Sequence, residues 1–154
     1  MSELPMIEDA ELAGRRVRHR LGIVGKPGFA PVPHLLLLHQ NTLGLTSAEL
    51  NVFLHIFMHW QDASRFPFVH AATIAKRMNT TPRNVQRLVT RLKNKGMLLR
   101  VPGAKHKARK EYDLRPGLMK LEPQAREWIS VQEEKRRTSG ISAEEMFAGI
   151  TGVV

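Results

Sequence analysis

Apolar residues recur at helical spacing in residues 47–61. They lie three and four positions apart, which gives a helix one apolar face. These positions are Leu50, Phe53, Leu54, Phe57 and Trp60. Thr46 precedes Glu49 by three residues, the signature of a capping box at a helix start. The pattern therefore predicts an amphipathic core helix over residues 47–61.

Shorter apolar segments lie on both sides of this helix. Residues 34–40 are predicted to form a short buried helix, followed by a turn at Gly44. Residues 62–67 predict a loop, and residues 68–77 become a short helix that carries Ile74 and Ala75.

Residues 82–94 show the sharpest separation of apolar and polar positions. On a helical wheel at about 100° per residue, one face holds only aliphatic side chains. These are Val85, Leu88, Val89 and Leu92. Thr81 is a favourable N-cap and Pro82 fits the first helical position, so the helix start is defined. An ordinary solvent-exposed helix is the alternative, but it would mix glutamate with its basic residues, and residues 82–95 contain none.

After this helix, the spacing of apolar residues changes from helical to strand-like. Gly96 is a helix-ending residue, and residues 97–101 and 110–114 predict two strands of a hairpin. The connection between them, residues 102–109, is basic. Helix, strand, basic loop and strand is the order of a winged helix, whereas a flexible basic hairpin is the alternative.

Residues 71–90, AATIAKRMNTTPRNVQRLVT, resemble the helix-turn-helix unit of bacterial DNA-binding proteins. Ala75 occupies the position that needs a small side chain between two helices. Asn79 occupies the tight-turn position, where glycine is usual and asparagine tolerates the left-handed backbone. The apolar positions of the motif are filled by Ile74, Met78, Val85 and Leu88. The expected fold class is mainly α with a small β-hairpin, a winged helix-turn-helix domain over residues 33–115 with an N-terminal arm and a C-terminal helix.

The stretch from LGLTSAELNVFLHI through the hairpin is similar to two groups of winged-helix proteins. One group is bacterial regulators of the MarR or GntR type. The other is the N-terminal domains of DnaD-like primosome proteins and of plasmid or phage replication initiators. The segment EYDLRPGLMKLE is similar to the wing end and following helix of such replication proteins. These resemblances imply a fold and a ligand class without choosing between the groups.

The charge distribution supports a polyanionic partner. The chain of 154 residues has 24 Lys and Arg against 14 Asp and Glu, a net charge of +10. Residues 63–110 contain 13 basic residues and no acidic one, so the remainder has a charge of −3. A polyanionic partner is the simplest explanation for tolerating this local self-repulsion.

Composition also excludes several classes of protein. With no cysteine, the chain has neither a disulfide scaffold nor a zinc-thiolate site, and it fits the cytoplasm. No apolar run approaches the roughly 20 residues of a membrane span, and we expect no secretory signal from the acidic first residues.

Enzymatic chemistry is not expected either. The chain lacks a Gly-rich phosphate loop and a cysteine nucleophile. His55 and His59 lie four apart and could share a metal, but no glutamate lies between them in the pattern of a zinc protease. Ordinary surface or half-buried histidines are favoured, so we predict no enzyme activity, no cofactor and no metal.

The segments outside the winged helix give weaker signals. Residues 1–32 predict a basic, solvated and partly disordered arm, and phosphate contacts from this arm are the alternative. Residues 116–137 carry a helical apolar stripe in which Pro123 either breaks the helix or starts a second one. We expect this helix to form a homodimer, with packing in cis as the alternative. Residues 138–154 are a tail that either is disordered or docks on a partner, so residues 116–154 as a whole could bind another protein.

The resemblance implies a specific set of DNA contacts. The helix over residues 82–94 would lie in the major groove, with its contacts made by Thr80, Thr81, Arg83, Asn84, Gln86, Arg87, Thr90, Arg91 and Asn94. The wing contacts would be Arg100, Lys105, His106, Lys107, Arg109 and Lys110. We expect sequence-specific binding to double-stranded DNA by a small bacterial transcriptional regulator. A replication or partition accessory protein of a plasmid, phage or mobile element is the first alternative, and a protein- or RNA-interaction module of a larger assembly is the second.

Overall fold

The computed structural model of the protein describes residues 8–102 and 110–139. The chain divides into two compact units, Met1–Pro31 and Val32–Val154. Within the described residues, no helix has both the length and the apolar character to cross a bilayer.

The N-terminal unit contains a helix that the sequence analysis did not predict. Helix α1 spans Glu8–Leu21 and is followed by a short 3-10 helix, Gly22–Gly25. The sequence predicted a partly disordered arm over residues 1–32, and residues 8–25 of that arm form these two helices. Good helix formers and a charge order that suits the helix dipole, acidic first and basic last, explain the helix. An ion pair one turn apart joins Glu11 to Arg15, at 2.7 Å.

The larger unit contains six helices and a two-stranded hairpin among its described residues. The elements are α2 (His34–Leu38), α3 (Ser47–Phe57), α4 (Ala71–Arg77), α5 (Pro82–Asn94), β1 (Leu99–Arg100), β2 (Tyr112–Asp113), α6 (Arg115–Met119) and α7 (Glu122–Ser139). The strands are antiparallel, with Leu99 opposite Asp113 and Arg100 opposite Tyr112. A bridge between Phe68 and Glu111 extends this sheet by one segment. The predicted fold class, mainly α with a small hairpin in a winged helix-turn-helix domain, is confirmed.

The core lies between α3, α4 and α5. Helix α3 buries Val52, Phe53 and Ile56, and α5 buries one apolar side chain per turn. Further buried residues are Ile74, Ala75, Val85, Leu88, Leu92, Met97, Leu98 and Leu114. This packing fixes the orientation of α5, because its aliphatic face is enclosed by the other two helices.

Helix α2 is less buried than the sequence predicted. Leu36 is fully buried, but Leu37 and Leu38 are 54% and 74% exposed. The helix has only five residues, so a single face reaches the core and the remaining leucines point outward. The expectation of a buried helix over residues 34–40 is wrong for these two side chains.

Helix α3 begins as predicted and ends earlier. Thr46 forms the capping box with Glu49, and the helix ends at Phe57 rather than residue 61. Trp60 lies beyond the helix, and its ring still packs edge-on against Phe57, with 5.9 Å between centroids.

The C-terminal segment forms two helices. Pro123 is the second residue of α7, as one of the two sequence alternatives expected. The helix continues through Thr138 and Ser139, two residues past the predicted end. The predicted tail beyond them, residues 140–154, lies outside the described residues.

Candidate nucleic-acid interface

The turn between α4 and α5 has the geometry that the helix-turn-helix resemblance implies. Asn79 has a φ of +51°, in the left-handed region. The N–H of Thr80 then donates to the carbonyl of Ala75, at 2.9 Å. Ala75 is buried, in agreement with its expected position between two helices. The turn brings Thr80 and Thr81 to the start of α5.

The two threonines use their hydroxyl oxygens as acceptors. Thr81 Oγ1 accepts from the backbone N–H of Asn84 at 3.2 Å and so caps the helix. Thr80 Oγ1 accepts from the side-chain amide of Asn84 at 3.0 Å. A hydroxyl that accepts one hydrogen bond still has its own hydrogen. Both threonines therefore retain a donor for an acceptor such as a phosphate oxygen.

Asn84 connects this capping region to Arg87. Its amide oxygen accepts from Arg87 Nη2 at 2.7 Å, while its amide nitrogen donates to Thr80. The side chain is half-buried and engaged at both ends. Its geometry suits holding the Arg87 guanidinium in place better than the direct base contact that the sequence suggested.

The exposed face of α5 carries the other residues that the sequence singled out. These are Arg83, Gln86, Arg87, Thr90, Arg91 and Asn94, all of them exposed, opposite the buried Val85, Leu88 and Leu92. Within the described residues, no carboxylate forms an ion pair with any of the three arginines. Thr90 Oγ1 donates to the carbonyl of Gln86 at 3.0 Å, so its hydroxyl hydrogen is already used. We name this surface the α5 face.

An ion pair with a buried carboxylate joins the end of α5 to the start of α3. Lys95 Nζ lies 2.6 Å from Glu49 Oε2 and also donates to the carbonyl of Gly44. Glu49 is 1% exposed, and the same oxygen accepts from the N–H of Thr46 at 3.0 Å. Burial by itself raises the pKa of Glu49. The hydrogen bonds and the Lys95 charge lower the pKa by more than burial raises it, so the pKa of Glu49 is below its ordinary value. The sequence revealed Glu49 as part of a capping box but not its partner, which is 46 residues away.

The wing is described only at its two strands. Arg100 and Lys110 are exposed, as expected for phosphate contacts. The other four predicted wing residues, Lys105, His106, Lys107 and Arg109, lie outside the described residues.

A salt bridge that the sequence analysis missed supports the second strand. Arg115 donates to both carboxylate oxygens of Asp113, from Nε at 2.8 Å and from Nη2 at 2.7 Å. These bonds lower the pKa of Asp113 below its ordinary value. The same guanidinium lies 5.3 Å from the ring centroid of Phe66, a cation–π contact. Asp113 and Arg115 are neighbours in the sequence, whereas Phe66 is brought to the strand by tertiary packing.

The two histidines of α3 and the following turn lie beside a cation. His59 Nε2 is 3.1 Å from Arg77 Nη1. Burial and the Arg77 charge lower the pKa of both His55 and His59. No cluster of three or more His, Asp or Glu suited to a metal occurs among the described residues. Arg77 occupies one of the two ring nitrogens of His59.

Solved structures with related folds come from several bacteria. The N-terminal domain of DnaD protein from Geobacillus kaustophilus is 28% identical, with a TM-score of 0.50, and the match covers 83% of this chain and 99% of that one. A MepR–DNA complex from S. aureus is 18% identical, covers 92% and 94% of the two chains and has a TM-score of 0.44. The YusO protein of Bacillus subtilis is 21% identical, covers 93% and 88%, and has a TM-score of 0.42.

Comparison with protein-family models shows which of the two resembled groups this chain matches in sequence. No curated protein sequence matches the chain closely enough to add a relative. The family model of the DnaD N-terminal domain matches residues 32–134, two thirds of the chain. This confirms one of the resemblances that the sequence suggested. The chain therefore belongs to the DnaD N-terminal domain family.

Proposed function

We propose that this protein binds double-stranded DNA through the α5 face. The observation that carries the proposal is the separation of charge and burial on one helix. Arg83, Arg87 and Arg91 lie one turn apart on the exposed side and form no ion pair with a described carboxylate, while the opposite side is enclosed in the core. A firmly packed helix with a cationic, hydrogen-bonding face suits the major groove.

The side chains of the α5 face match the chemistry of base edges. Arginine donates two hydrogen bonds to guanine, and glutamine pairs with adenine in the same groove. Arg87 is held by Asn84, which reduces the entropy lost when its guanidinium binds. We therefore assign base contacts to Arg83, Gln86, Arg87 and Arg91, and an orienting role to Asn84.

Contacts to phosphate would surround this central face. Thr80 and Thr81 retain their hydroxyl hydrogens at the start of α5, where the helix dipole also favours an anion. Asn94 lies further along the same face, as does Thr90, whose hydroxyl hydrogen is donated to the carbonyl of Gln86 and not to phosphate. The wing would add sequence-independent contacts through Arg100, Lys105, His106, Lys107, Arg109 and Lys110. Such binding weakens steeply as the salt concentration rises.

Two biological roles would use the same DNA contact. The first is a small transcriptional regulator. The second is a replication or partition accessory protein of a plasmid, phage or mobile element, and membership of the DnaD N-terminal domain family favours this second role.

We also propose that the chain forms a homodimer through α7. This helix has no buried residue and exposes Trp128, Ile129 and Val131. Two-fold pairing would double the length of DNA contacted. Sedimentation of the full chain should show a dimer that Ile129→Glu dissociates, and a monomeric wild type would refute the pairing.

The DNA-binding proposal is tested by removing the three arginines together. The variant carries Arg83→Gln, Arg87→Gln and Arg91→Gln, and a matched control carries Arg126→Gln and Arg137→Glu on the side of α7 opposite Trp128. Both lose the same charge. In a gel-shift assay on genomic fragments, we expect the α5 variant to lose affinity by about 100-fold or more, since each arginine–guanine pair contributes about 1–3 kcal/mol. The control should remain within about three-fold of wild type, because exposed charges distant from the contact act weakly.

Two results would contradict this proposal. One is a wild-type protein that retains no DNA at about 50 mM salt. The other is an α5 variant that binds as well as the control, which would move the interface elsewhere or favour a role in binding protein or RNA.

A further inference from the structure

Helix α1 separates its charges along its length. Its acidic residues, Glu8, Asp9 and Glu11, all lie in the first four positions. Its basic residues follow in the second half, at Arg15, Arg16, Arg18, His19 and Arg20. No acidic residue occurs between residues 12 and 48, so this positive end is not diluted by neighbours in the sequence.

The helix dipole accounts for only part of this order. Cations stabilise a helix when they lie in its last turn, by about 0.3–1 kcal/mol, and the effect fades beyond that turn. Arg18, His19 and Arg20 meet this condition. Arg15 and Arg16 begin one turn earlier, and the dipole gives no reason for five basic residues within six positions.

Most of these cations are exposed and have no ion-pair partner within the described residues. Arg15 pairs with Glu11 at 2.7 Å. Arg16, Arg18 and Arg20 are exposed, and none of them forms an ion pair with a described residue. On a wheel of about 100° per residue, the five basic side chains cover roughly 200° of the helix. The half-buried Val17 and Leu21 lie on the remaining side.

The side-chain chemistry favours phosphate. The positive end of α1 uses arginine four times and lysine not at all. Arginine binds phosphate with two parallel hydrogen bonds and is more weakly hydrated than lysine, so it loses less on contact.

A lipid surface is the competing ligand. Ile23 and Val24, directly after α1, are each 77% exposed and could enter a membrane. The apolar side of α1 itself is small, however, since it is formed by Ala13, Gly14, Val17 and Leu21. Helices that lie in a membrane interface use larger side chains such as Trp, Phe and Leu for this purpose.

We propose that the arginine-rich end of α1, residues 15–20, is a second DNA contact that binds backbone phosphates irrespective of sequence. It rests on the proposed function, because it adds affinity to the complex whose base contacts α5 makes. The α1 contact differs from the α5 contact because phosphate contacts carry no sequence information. Removing the α5 contact should therefore reduce both affinity and sequence specificity, whereas removing the α1 contact should reduce affinity alone.

The experiment uses the full chain with Arg16→Gln, Arg18→Gln and Arg20→Gln. Glutamine keeps a helix propensity close to that of arginine, and circular dichroism checks that α1 persists. The matched control is the α7 variant Arg126→Gln, Arg137→Glu, which loses the same charge. Dissociation constants are measured by fluorescence anisotropy on a selected duplex and on a shuffled duplex, over about 50–300 mM salt.

We expect the α1 variant to bind both duplexes more weakly by the same factor. The slope of log affinity against log salt should fall by about 2.7, since each phosphate contact contributes about 0.9. The ratio of the two dissociation constants should not change. The control should alter the slope by less than about one, because it removes charge but no phosphate contact.

The outcomes separate the two proposals. A slope change in the α1 variant no larger than in the control overturns the α1 contact and leaves the α5 proposal intact. Residual binding by the α5 variant that disappears when the α1 substitutions are added supports the α1 contact. Unaltered affinity in the α5 variant combined with a large loss in the α1 variant overturns the α5 proposal alone. A wild-type protein that binds neither duplex overturns both.

A vesicle assay addresses the lipid alternative. Wild type and the α1 variant are sedimented with vesicles containing about 30% phosphatidylserine. Two results together would overturn the proposal: vesicle binding that requires the arginines, and a DNA salt slope that does not change in the α1 variant. They would show that the arginines bind a membrane surface and not the DNA backbone.

Discussion

Helices α5 and α7 are both long and rich in charge, yet they relate differently to the rest of the protein. Helix α5 has 13 residues, three of them buried aliphatics, and no acidic residue. Helix α7 has 18 residues, none of them buried, with glutamates placed among its basic residues. Charge content alone therefore does not distinguish them, whereas burial and the sign of the charges do.

This difference indicates what each helix can bind. The core holds α5 on one side, so the orientation of its opposite face is fixed, and the arginines on that face form no ion pair with a described carboxylate. Helix α7 contains an internal ion pair, Arg126 with Glu122, at 3.5 Å. Its mixed charges are typical of a surface helix, and its exposed Trp128 and Ile129 suit another protein surface rather than DNA.

The largest difference in the free energy of unfolding should appear when an apolar side chain is removed from each helix. Leu92→Ala should destabilise the protein by about 3 kcal/mol, because it leaves a cavity in the core. Ile129→Ala, on an exposed position, should cost less than about 0.5 kcal/mol in the monomer. Urea unfolding at low protein concentration measures both. Equal losses would show that α7 is anchored as firmly as α5.

Removing an ion pair from each helix should give a smaller difference in the free energy of unfolding. Lys95→Met leaves the buried Glu49 without its cation and should cost about 1–3 kcal/mol. Arg126→Gln removes an exposed pair and should cost less than about 0.5 kcal/mol. The same unfolding assay applies. A loss of under about 0.5 kcal/mol for Lys95→Met would mean that solvent replaces the cation.

Acid should weaken the attachment of α5 specifically. The pKa of Glu49 is lower in the folded protein than its ordinary value of 4.5, so the stabilisation is complete above that value and is lost as pH falls through the lowered pKa. Wild type should therefore lose more stability than Glu49→Gln between about pH 6 and pH 3. Asp113 titrates in both proteins and cancels in the difference. Parallel curves for the two proteins would show that Glu49 does not contribute.

The turn before α5 should give the smallest measurable effect. Asn79→Ala places an alanine at a φ of +51° and should cost about 1 kcal/mol, whereas Asn79→Gly should cost less. Ser130→Ala within α7 serves as the control and should change stability by only a few tenths of a kcal/mol. Thermal unfolding compares the three. If alanine and glycine were equivalent at position 79, the left-handed turn would not constrain α5.

Local pattern was sufficient for α5 and its turn. The cap at Thr81, the proline after it and the spacing of Val85, Leu88 and Leu92 are all contained within a dozen residues. The same information predicted the start of α3 through Thr46 and Glu49. Each of these features depends on neighbours in the sequence.

Features that depend on distant residues were missed. Lys95 reaches Glu49 across 46 positions, and Arg115 meets Phe66 only after the hairpin has packed. Helix α1 was overlooked for another reason, since its apolar side is too small to give a clear periodic signal. The exposure of Leu37 and Leu38 depends on how few turns α2 has, which composition does not reveal.

The most direct test of the central claim is a residue-by-residue map of the DNA contact. An isotopically labelled full chain is titrated with a short selected duplex, and changes in backbone amide resonances are followed by nuclear magnetic resonance. The account predicts that amides of residues 80–94 shift or broaden, while those of residues 126–137 on α7 stay unchanged. Shifts concentrated on α7, with residues 80–94 unaffected, would contradict it.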